Sequence, residues 1–142
     1  MDRPGAYIPA MSATIAVLSQ KGGTGKTTMV RSLADVFERL GVDVLAVDAD
    51  PQGNLSDYFD ADPEAQPTLA DVLQGRVRAA DAVHGPLIPA NLTLAEAELM
   101  LAGKIGREVT LRAALRDLKR SKDVILIDCR ITVRKRTGPN RS

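Results

Sequence analysis

The sequence contains one cysteine, few aromatic residues and no long apolar run. Because Cys129 is the single cysteine, an intramolecular disulfide framework and a metal site built from several thiolates are both excluded. No stretch approaches the roughly 18 consecutive apolar residues of a membrane span, and residues 1–10 lack the apolar segment of a signal peptide. The 142 residues, 44% hydrophobic and 26% charged, have the composition of one ordinary globular domain. We therefore expect a cytoplasmic protein that does not interact with a membrane.

Charge is distributed unevenly along the chain. Residues 130–142 contain no acidic residue and five basic ones, namely Arg130, Arg134, Lys135, Arg136 and Arg141. The formal charge of the whole chain is only +1, so residues 1–129 are net acidic. A basic end of this kind is typical of a solvated tail and less often of a contact for nucleic acid. Because no aromatic residue accompanies the charges, we expect a disordered tail.

Short apolar segments predict a parallel sheet. Thr14 to Ser19, Val44 to Val47 and Val124 to Ile127 are nearly continuous apolar runs, as expected of strands buried on both faces, and Leu87 to Ala90 is a fourth candidate. Segments with helical spacing separate these runs. We therefore predict an α/β fold with a parallel sheet of about four strands and flanking helices, preceded by an irregular leader over residues 1–13.

Capping signals and apolar spacing predict the helices. The first helix should begin near Thr27 and end at Gly41, where a left-handed cap is expected. Thr68 with Asp71 and Thr93 with Glu96 have the spacing of capping boxes. The predicted later helices cover one turn at 55–59, a short helix that stops at Gly75, residues 94–102 and residues 108–120.

A glycine-rich loop, K-G-G-T-G-K-T-T, lies between the first strand and the first helix. Glycines there let backbone N–H groups turn toward a polyphosphate, Lys26 can reach the β and γ phosphates, and the Thr27 hydroxyl can bind Mg²⁺. Gln20 stands where the usual P-loop pattern has its first glycine. The alternative is a flexible turn with an exposed lysine, but the flanking strand and helix favour a P-loop. The predicted nucleotide-binding residues are Gly22, Gly23, Thr24, Gly25, Lys26, Thr27 and Thr28.

Three aspartates follow predicted strands and should lie at the same edge of the sheet. Asp48 and Asp50 follow the second apolar run, and Asp128 follows the last one. Ligands of open α/β sheets bind outside the carboxyl ends of the strands. Asp128 has the form of a Walker B acid that holds Mg²⁺, Asp48 is a further metal candidate, and Asp50 could orient or deprotonate an attacking water. Without a P-loop, each would be read as a turn or cap residue.

Three segments together resemble the ParA family of partition ATPases, within the deviant Walker A P-loop proteins. They are S-Q-K-G-G-T-G-K-T-T (19–28), V-D-A-D-P-Q-G-N (47–54) and D-V-I-L-I-D-C (123–129). Residues 87–98 also look like the family, so the resemblance runs from about Thr14 to Cys129. Other members fit less well: the nitrogenase iron protein needs two cysteines per subunit, the tyrosine kinases need a tyrosine-rich tail, and a MinD-like protein needs an amphipathic C-terminal helix.

The resemblance implies an ATP-dependent homodimer that uses ATP and Mg²⁺ for chromosome or plasmid partition. In the family, the lysine that matches Lys21 crosses the dimer interface to the partner's ATP, so Lys21 and Asp50 are the implied catalytic residues. Residues 48–54 look like a switch loop that responds to the γ-phosphate. The resemblance also implies nonspecific DNA binding, nucleoid association when ATP is bound, and a ParB-type partner protein.

The sequence departs from the family pattern after Cys129. Family members continue with a proline pair and roughly another hundred residues, whereas Arg130 follows here. We therefore expect residues 14–129 to form the N-terminal part of a ParA-like domain, residues 130–142 to be an aberrant or out-of-frame tail, and the open sheet to give weak stability or aggregation. Two other functions stay open: a nucleotide-binding module without hydrolysis, and a DNA-binding or partner-binding fragment that acts through the basic tail.

Overall fold

The computed structural model describes residues 12–19, 24–101 and 107–130, so most of the predicted leader and tail lies outside the described residues. The strands are β1 (Ala13–Ser19), β2 (Val44–Ala49), β3 (Leu87–Ile88) and β4 (Val124–Arg130). The α-helices are α1 (Thr24–Arg39), α2 (Asn54–Tyr58), α3 (Leu69–Leu73), α4 (Thr93–Leu101) and α5 (Arg107–Ala114). Two 3-10 helices cover Ala79–Ala82 and Arg116–Arg120.

All four strands belong to one parallel sheet with the order β1-β4-β2-β3, which confirms the predicted α/β fold. β4 therefore lies between β1 and β2, although α1 connects β1 to β2 along the chain. In the register of β2 and β4, Val44 pairs with Val124 and Asp48 pairs with Asp128. The sheet thus brings two of the predicted site residues side by side from positions far apart in the chain.

Helices cover both faces of the sheet. On one face α1 and α2 pack against Ala46 and Leu126, and on the other α3, α4 and α5 pack against Leu45, Val47 and Ile125. Because successive residues of a strand point to opposite faces, Asp48 and Asp128 lie on the α1 side of the sheet. This is the side on which α1 packs.

The first strand is less buried than its sequence indicates. Ile15 is 38% exposed and Leu18 is 54% exposed, so the prediction of a strand buried on both faces is wrong for β1. Among the described residues β1 pairs only with β4, and an edge strand keeps little cover from its neighbours. The same prediction holds for β2 and β4: residues 45–49 and 124–129 are buried. Each of these strands has described strands on both of its sides, and helices pack on both faces.

Helix ends follow the predicted caps at two places. Gly41 has a φ of 79°, and the Val42 N–H donates to the Phe37 carbonyl at 2.9 Å, as in a Schellman cap. Thr68 and Asp71 form the predicted capping box at the start of α3. The first helix itself begins at Thr24, three residues earlier than predicted.

Two helical predictions are corrected by the structure. Thr93 lies inside α4 and does not cap it; the Asn91 side-chain oxygen accepts the Thr93 N–H at 3.0 Å and so holds the first turn. The predicted helix over 108–120 divides at Leu115 into α5 and the 3-10 helix Arg116–Arg120. Its apolar residues Leu111, Leu115 and Leu118 are buried, as expected. Within the described ranges, no helix is both long enough and apolar enough to cross a membrane.

Candidate functional site

The carboxyl ends of β2 and β4 bring four buried polar side chains to one place. Asp48 and Asp128 are register partners and both have no exposed surface, while Thr27 is 2% exposed and Asp50 is 1% exposed. Thr27 comes from the second turn of α1, which packs on this side of the sheet. Carboxylates are seldom fully buried unless they are paired or serve a site, so this edge is the candidate functional site.

A hydrogen bond joins α1 to β4 inside this site. The Thr27 hydroxyl donates to Oδ2 of Asp128 at 3.1 Å, across 101 positions of sequence. A hydroxyl and a carboxylate are the hard oxygen ligands that Mg²⁺ prefers, so the pair fits a magnesium ion. Within the described part of the chain, no cluster of three or more His, Cys, Asp or Glu side chains could hold a metal. A magnesium ion here would therefore need further oxygens from water or from a phosphate ligand.

Asp48 is held by three hydrogen bonds. Its Oδ1 accepts the Asp50 N–H at 3.1 Å, and its Oδ2 accepts the Ser56 N–H at 2.9 Å and the Ser56 hydroxyl at 2.7 Å. Burial raises the pKa of Asp48 to about 6. The bonds from Ser56 and Asp50 lower this pKa, and the nearby Asp128 carboxylate raises it further. Asp48 therefore acts as a hydrogen-bond acceptor that holds the chain after β2 in place.

The segment between β2 and α2 forms a tight loop around Asp50. The Asp50 side chain accepts the Gln52 N–H at 3.0 Å, and its backbone carbonyl accepts the Gly53 N–H at 2.9 Å. Gly53 adopts the left-handed region with φ of 69°. A Cβ atom at this position would stand 3.0 Å from the Ala90 carbonyl oxygen. The loop therefore needs glycine both for its backbone conformation and for its close approach to the chain after β3.

Sequence reasoning missed Ser56, which is buried in α2. Its hydroxyl donates to Asp48, as described above, and accepts the Ala90 N–H at 3.0 Å. The one available signal was a polar residue directly after the buried Leu55 in a predicted helical turn. That signal is weak, because serine is common at helix starts for local reasons.

A second set of contacts ties α2 to α1. The hydroxyls of Thr28 and Tyr58 are 3.1 Å apart, and Arg31 donates to the Tyr58 carbonyl. The Arg31 guanidinium also lies 4.6 Å from the centre of the Phe59 ring. Next to these contacts is an open cleft of about 430 Å³, lined by Thr27, Asn54, Asp57 and Tyr58. The cleft gives the buried edge an opening to solvent.

The structure describes only part of the predicted phosphate loop. Lys21, Gly22 and Gly23 lie outside the described residues, while the backbones of Thr24, Gly25 and Lys26 form the first turn of α1. Of the predicted site residues with described side chains, Thr27, Asp48, Asp50 and Asp128 are brought together. Thr28 lies on the exposed side of α1, against Tyr58.

Comparisons with known proteins find chains of similar sequence and fold. A family model described as an AAA domain matches residues 12–134. The chain is similar to the sporulation initiation inhibitor protein Soj of Bacillus subtilis, with 36% identity over 126 residues, or 84% of this chain and 50% of that protein. It is also similar to the chromosome-partitioning ATPase Soj of Treponema pallidum, with 36% identity over 125 residues, or 84% of this chain and 49% of that protein.

A solved structure with a similar fold holds a nucleotide. It is cobyrinic acid a,c-diamide synthase from Mycobacterium smegmatis with a bound ATP analogue and magnesium. It is 40% identical to this chain with a TM-score of 0.79, and the match covers 84% of this chain and 51% of that one. The chain spans about half the length of the curated relatives it matches.

Proposed function

Because the chain belongs to the AAA-domain family, among its ParA-type P-loop ATPases, we propose that it binds Mg-ATP at the carboxyl edge of its sheet. The observation that carries this proposal is the buried contact between the Thr27 hydroxyl and the Asp128 carboxylate. The first residues of α1, which contain G-K-T-T, and an aspartate near the carboxyl end of β4 are joined there, as a Mg-nucleotide site requires. The similar synthase from M. smegmatis has an ATP analogue and magnesium bound.

Each residue of the edge has a proposed task. The backbone of Gly22, Gly23, Thr24 and Gly25 would surround the phosphates, helped by the positive end of α1, with Lys26 as a counter-charge and Thr28 completing the loop. Thr27 and Asp128 would hold Mg²⁺, which neutralises phosphate charge when bound. The oxygens of Asp48 already accept three hydrogen bonds. We therefore propose that Asp48 acts on the metal through its charge and through the loop it holds.

ATP hydrolysis is the proposed reaction. Asp50 would orient or deprotonate the attacking water, since positioning and charge stabilisation dominate phosphoryl transfer. Its fixed place in the loop supports this task. Lys21 would act on the ATP of a partner subunit, as the resemblance to ParA proteins implies. A binding module without hydrolysis is the alternative that uses the same site.

We further propose a role in DNA partition. One relative is named a chromosome-partitioning ATPase. From the family resemblance, the nucleotide would promote a homodimer that binds DNA nonspecifically, associates with the nucleoid, and is released by a ParB-type protein. The alternative of DNA binding through residues 130–142 predicts that removing this tail abolishes a steeply salt-dependent interaction.

Equilibrium binding of a fluorescent ATP analogue tests the site. We expect Mg²⁺-dependent binding that Lys26→Ala weakens by at least about tenfold, because a phosphate counter-charge is lost. Thr27→Val should remove most of the Mg²⁺ dependence, whereas Thr27→Ser keeps the hydroxyl and serves as the matched control. Phosphate release above the Lys26→Ala level separates an ATPase from a non-hydrolysing module. Folded protein that takes up no adenine nucleotide in magnesium buffer would contradict the proposal.

A further inference from the structure

The Ser56 hydroxyl is the point where three chain segments meet. It donates to Asp48 at the end of β2, belongs to α2 after the loop, and accepts the N–H of Ala90 after β3. A hydroxyl has one proton, and here that proton goes to the carboxylate at 2.7 Å while an oxygen lone pair takes the amide at 3.0 Å. Both polar functions of Ser56 are therefore used, and each joins a different segment.

These hydrogen bonds are buried, so water cannot readily replace either partner when one of them is lost. Ser56 is 7% exposed, Ala90 is 6% exposed and Asp48 has no exposed surface. Loss of the hydroxyl would leave the Ala90 N–H without its acceptor and Asp48 with two of its three donors. An unsatisfied buried polar group is costly, so the three segments should move together or not at all.

A close approach of the backbone joins the same segments as these hydrogen bonds. The Cα of Gly53 is so close to the Ala90 carbonyl that an added Cβ would be 3.0 Å from that oxygen. The adjoining residue, Asn91, accepts the Thr93 N–H and thereby fixes the first turn of α4. Ser56 and Gly53 thus each connect the loop 50–53 to the residues just before α4.

We propose that Ser56 is a positioning residue that couples the loop 50–53, beside the nucleotide, to residues 90–93 at the start of α4. This inference rests on the proposed Mg-ATP site. A nucleotide that changes the loop would change the exchange of the Ala90 amide with solvent, because that amide is bonded to the same hydroxyl. Coupling of this kind between sites is typically worth 5-fold to 150-fold in an equilibrium.

Amide-resolved hydrogen exchange of the full chain tests the coupling. The amides of Asp50, Ser56 and Ala90 are the donors of the bonds in question and so report each bond directly. With Mg²⁺ and a non-hydrolysable ATP analogue, we expect all three to slow, Ala90 by about tenfold. Ser56→Ala should keep nucleotide binding and the response at Asp50 but reduce the Ala90 response to less than about twofold.

Ser56→Thr keeps the hydroxyl and should restore the Ala90 response, which a purely structural role of Ser56 would not predict. Ser121→Ala is the matched control, because it removes a hydroxyl bonded to the Leu118 carbonyl at the other end of the sheet. If Ser56→Ala does not fold, the wild-type experiment still decides: bound nucleotide that slows Asp50 but leaves Ala90 unchanged overturns the coupling alone. A chain that binds no nucleotide overturns the proposed function and the coupling with it.

Discussion

The Asp48 carboxylate is both buried and hydrogen-bonded, and these two features have opposite effects on its pKa. Burial raises the pKa to about 6 although Ser56 and Asp50 donate to the ionised form. The folded protein therefore binds this proton more tightly than the unfolded chain, whose value is 3.8. The stabilisation that comes with the proton is fully present below the unfolded pKa and is lost as the pH rises through the folded pKa.

We predict that Asp48→Asn flattens the pH dependence of stability between about pH 4 and pH 6. In metal-free buffer, the free energy of unfolding of the wild type should fall across this window by up to about 3 kcal/mol relative to the variant. Urea denaturation at several pH values measures this difference. Asp62→Asn makes the same chemical change at an exposed side chain and serves as the control. The prediction is contradicted if the free energy of unfolding changes with pH in the same way for the wild type and for Asp48→Asn.

Individual site residues were predictable where the motif is contiguous and unpredictable where the contact is made by the fold. The aspartates at strand ends could be located because parallel strands end at one edge. The Thr27 contact to Asp128 is also implied by the P-loop and Walker B forms together. The bond from Ala90 to Ser56 depends on how β3 lies beside β2, which no local pattern in the sequence encodes.

At the scale of elements, the loop between β2 and α2 depends on one glycine for two separate reasons. Gly53 has a left-handed backbone, with φ of 69°, and the Ala90 carbonyl lies where a Cβ atom would point. Gly75, after α3, has a similar φ of 76° but nothing within 4 Å of an added Cβ. Substitutions at the two positions therefore distinguish the cost of backbone strain from the cost of a steric clash.

We predict that Gly75→Ala costs about 1 kcal/mol of stability, from backbone conformation alone. Gly53→Ala should cost at least about 1 kcal/mol more, because the new methyl group meets a backbone oxygen that cannot move aside as a side chain would. Chemical denaturation of both variants gives the comparison. Equal losses would mean that the chain after β3 moves freely away from the loop.

Elements with local signals were predicted well, and those that depend on neighbours were not. The Thr68–Asp71 box and Gly41 act within one helical turn, so their sequence patterns were sufficient. At α4 the pattern of Thr93 and Glu96 was overridden by Asn91, a strong acceptor two residues earlier. The composition of β1 indicates a buried strand, but burial depends on which strands and helices lie next to it.

At the scale of the whole molecule, β1 is an exposed edge strand of the described sheet, with a groove beside it. A groove of about 340 Å³ between β1 and α5 is lined by apolar side chains that include Leu18, Leu111 and Ile127, together with Arg112 and Lys119. β1 itself, A-T-I-A-V-L-S, contains no charge and no proline, the devices that usually protect an edge strand from pairing with other chains. Such an edge favours self-association.

We predict that Leu18→Glu reduces aggregation of the purified chain with little loss of stability. Leu18 is 54% exposed, so little buried apolar surface is lost, and the new carboxylate would share its groove with Arg112 and Lys119. Leu40→Glu is the matched control, because Leu40 is 63% exposed but lies just after α1, outside the four described strands. Light scattering against time at fixed concentration should show slower growth for Leu18→Glu than for Leu40→Glu. Equal rates in the two variants would mean that net charge, and not the β1 edge, controls association.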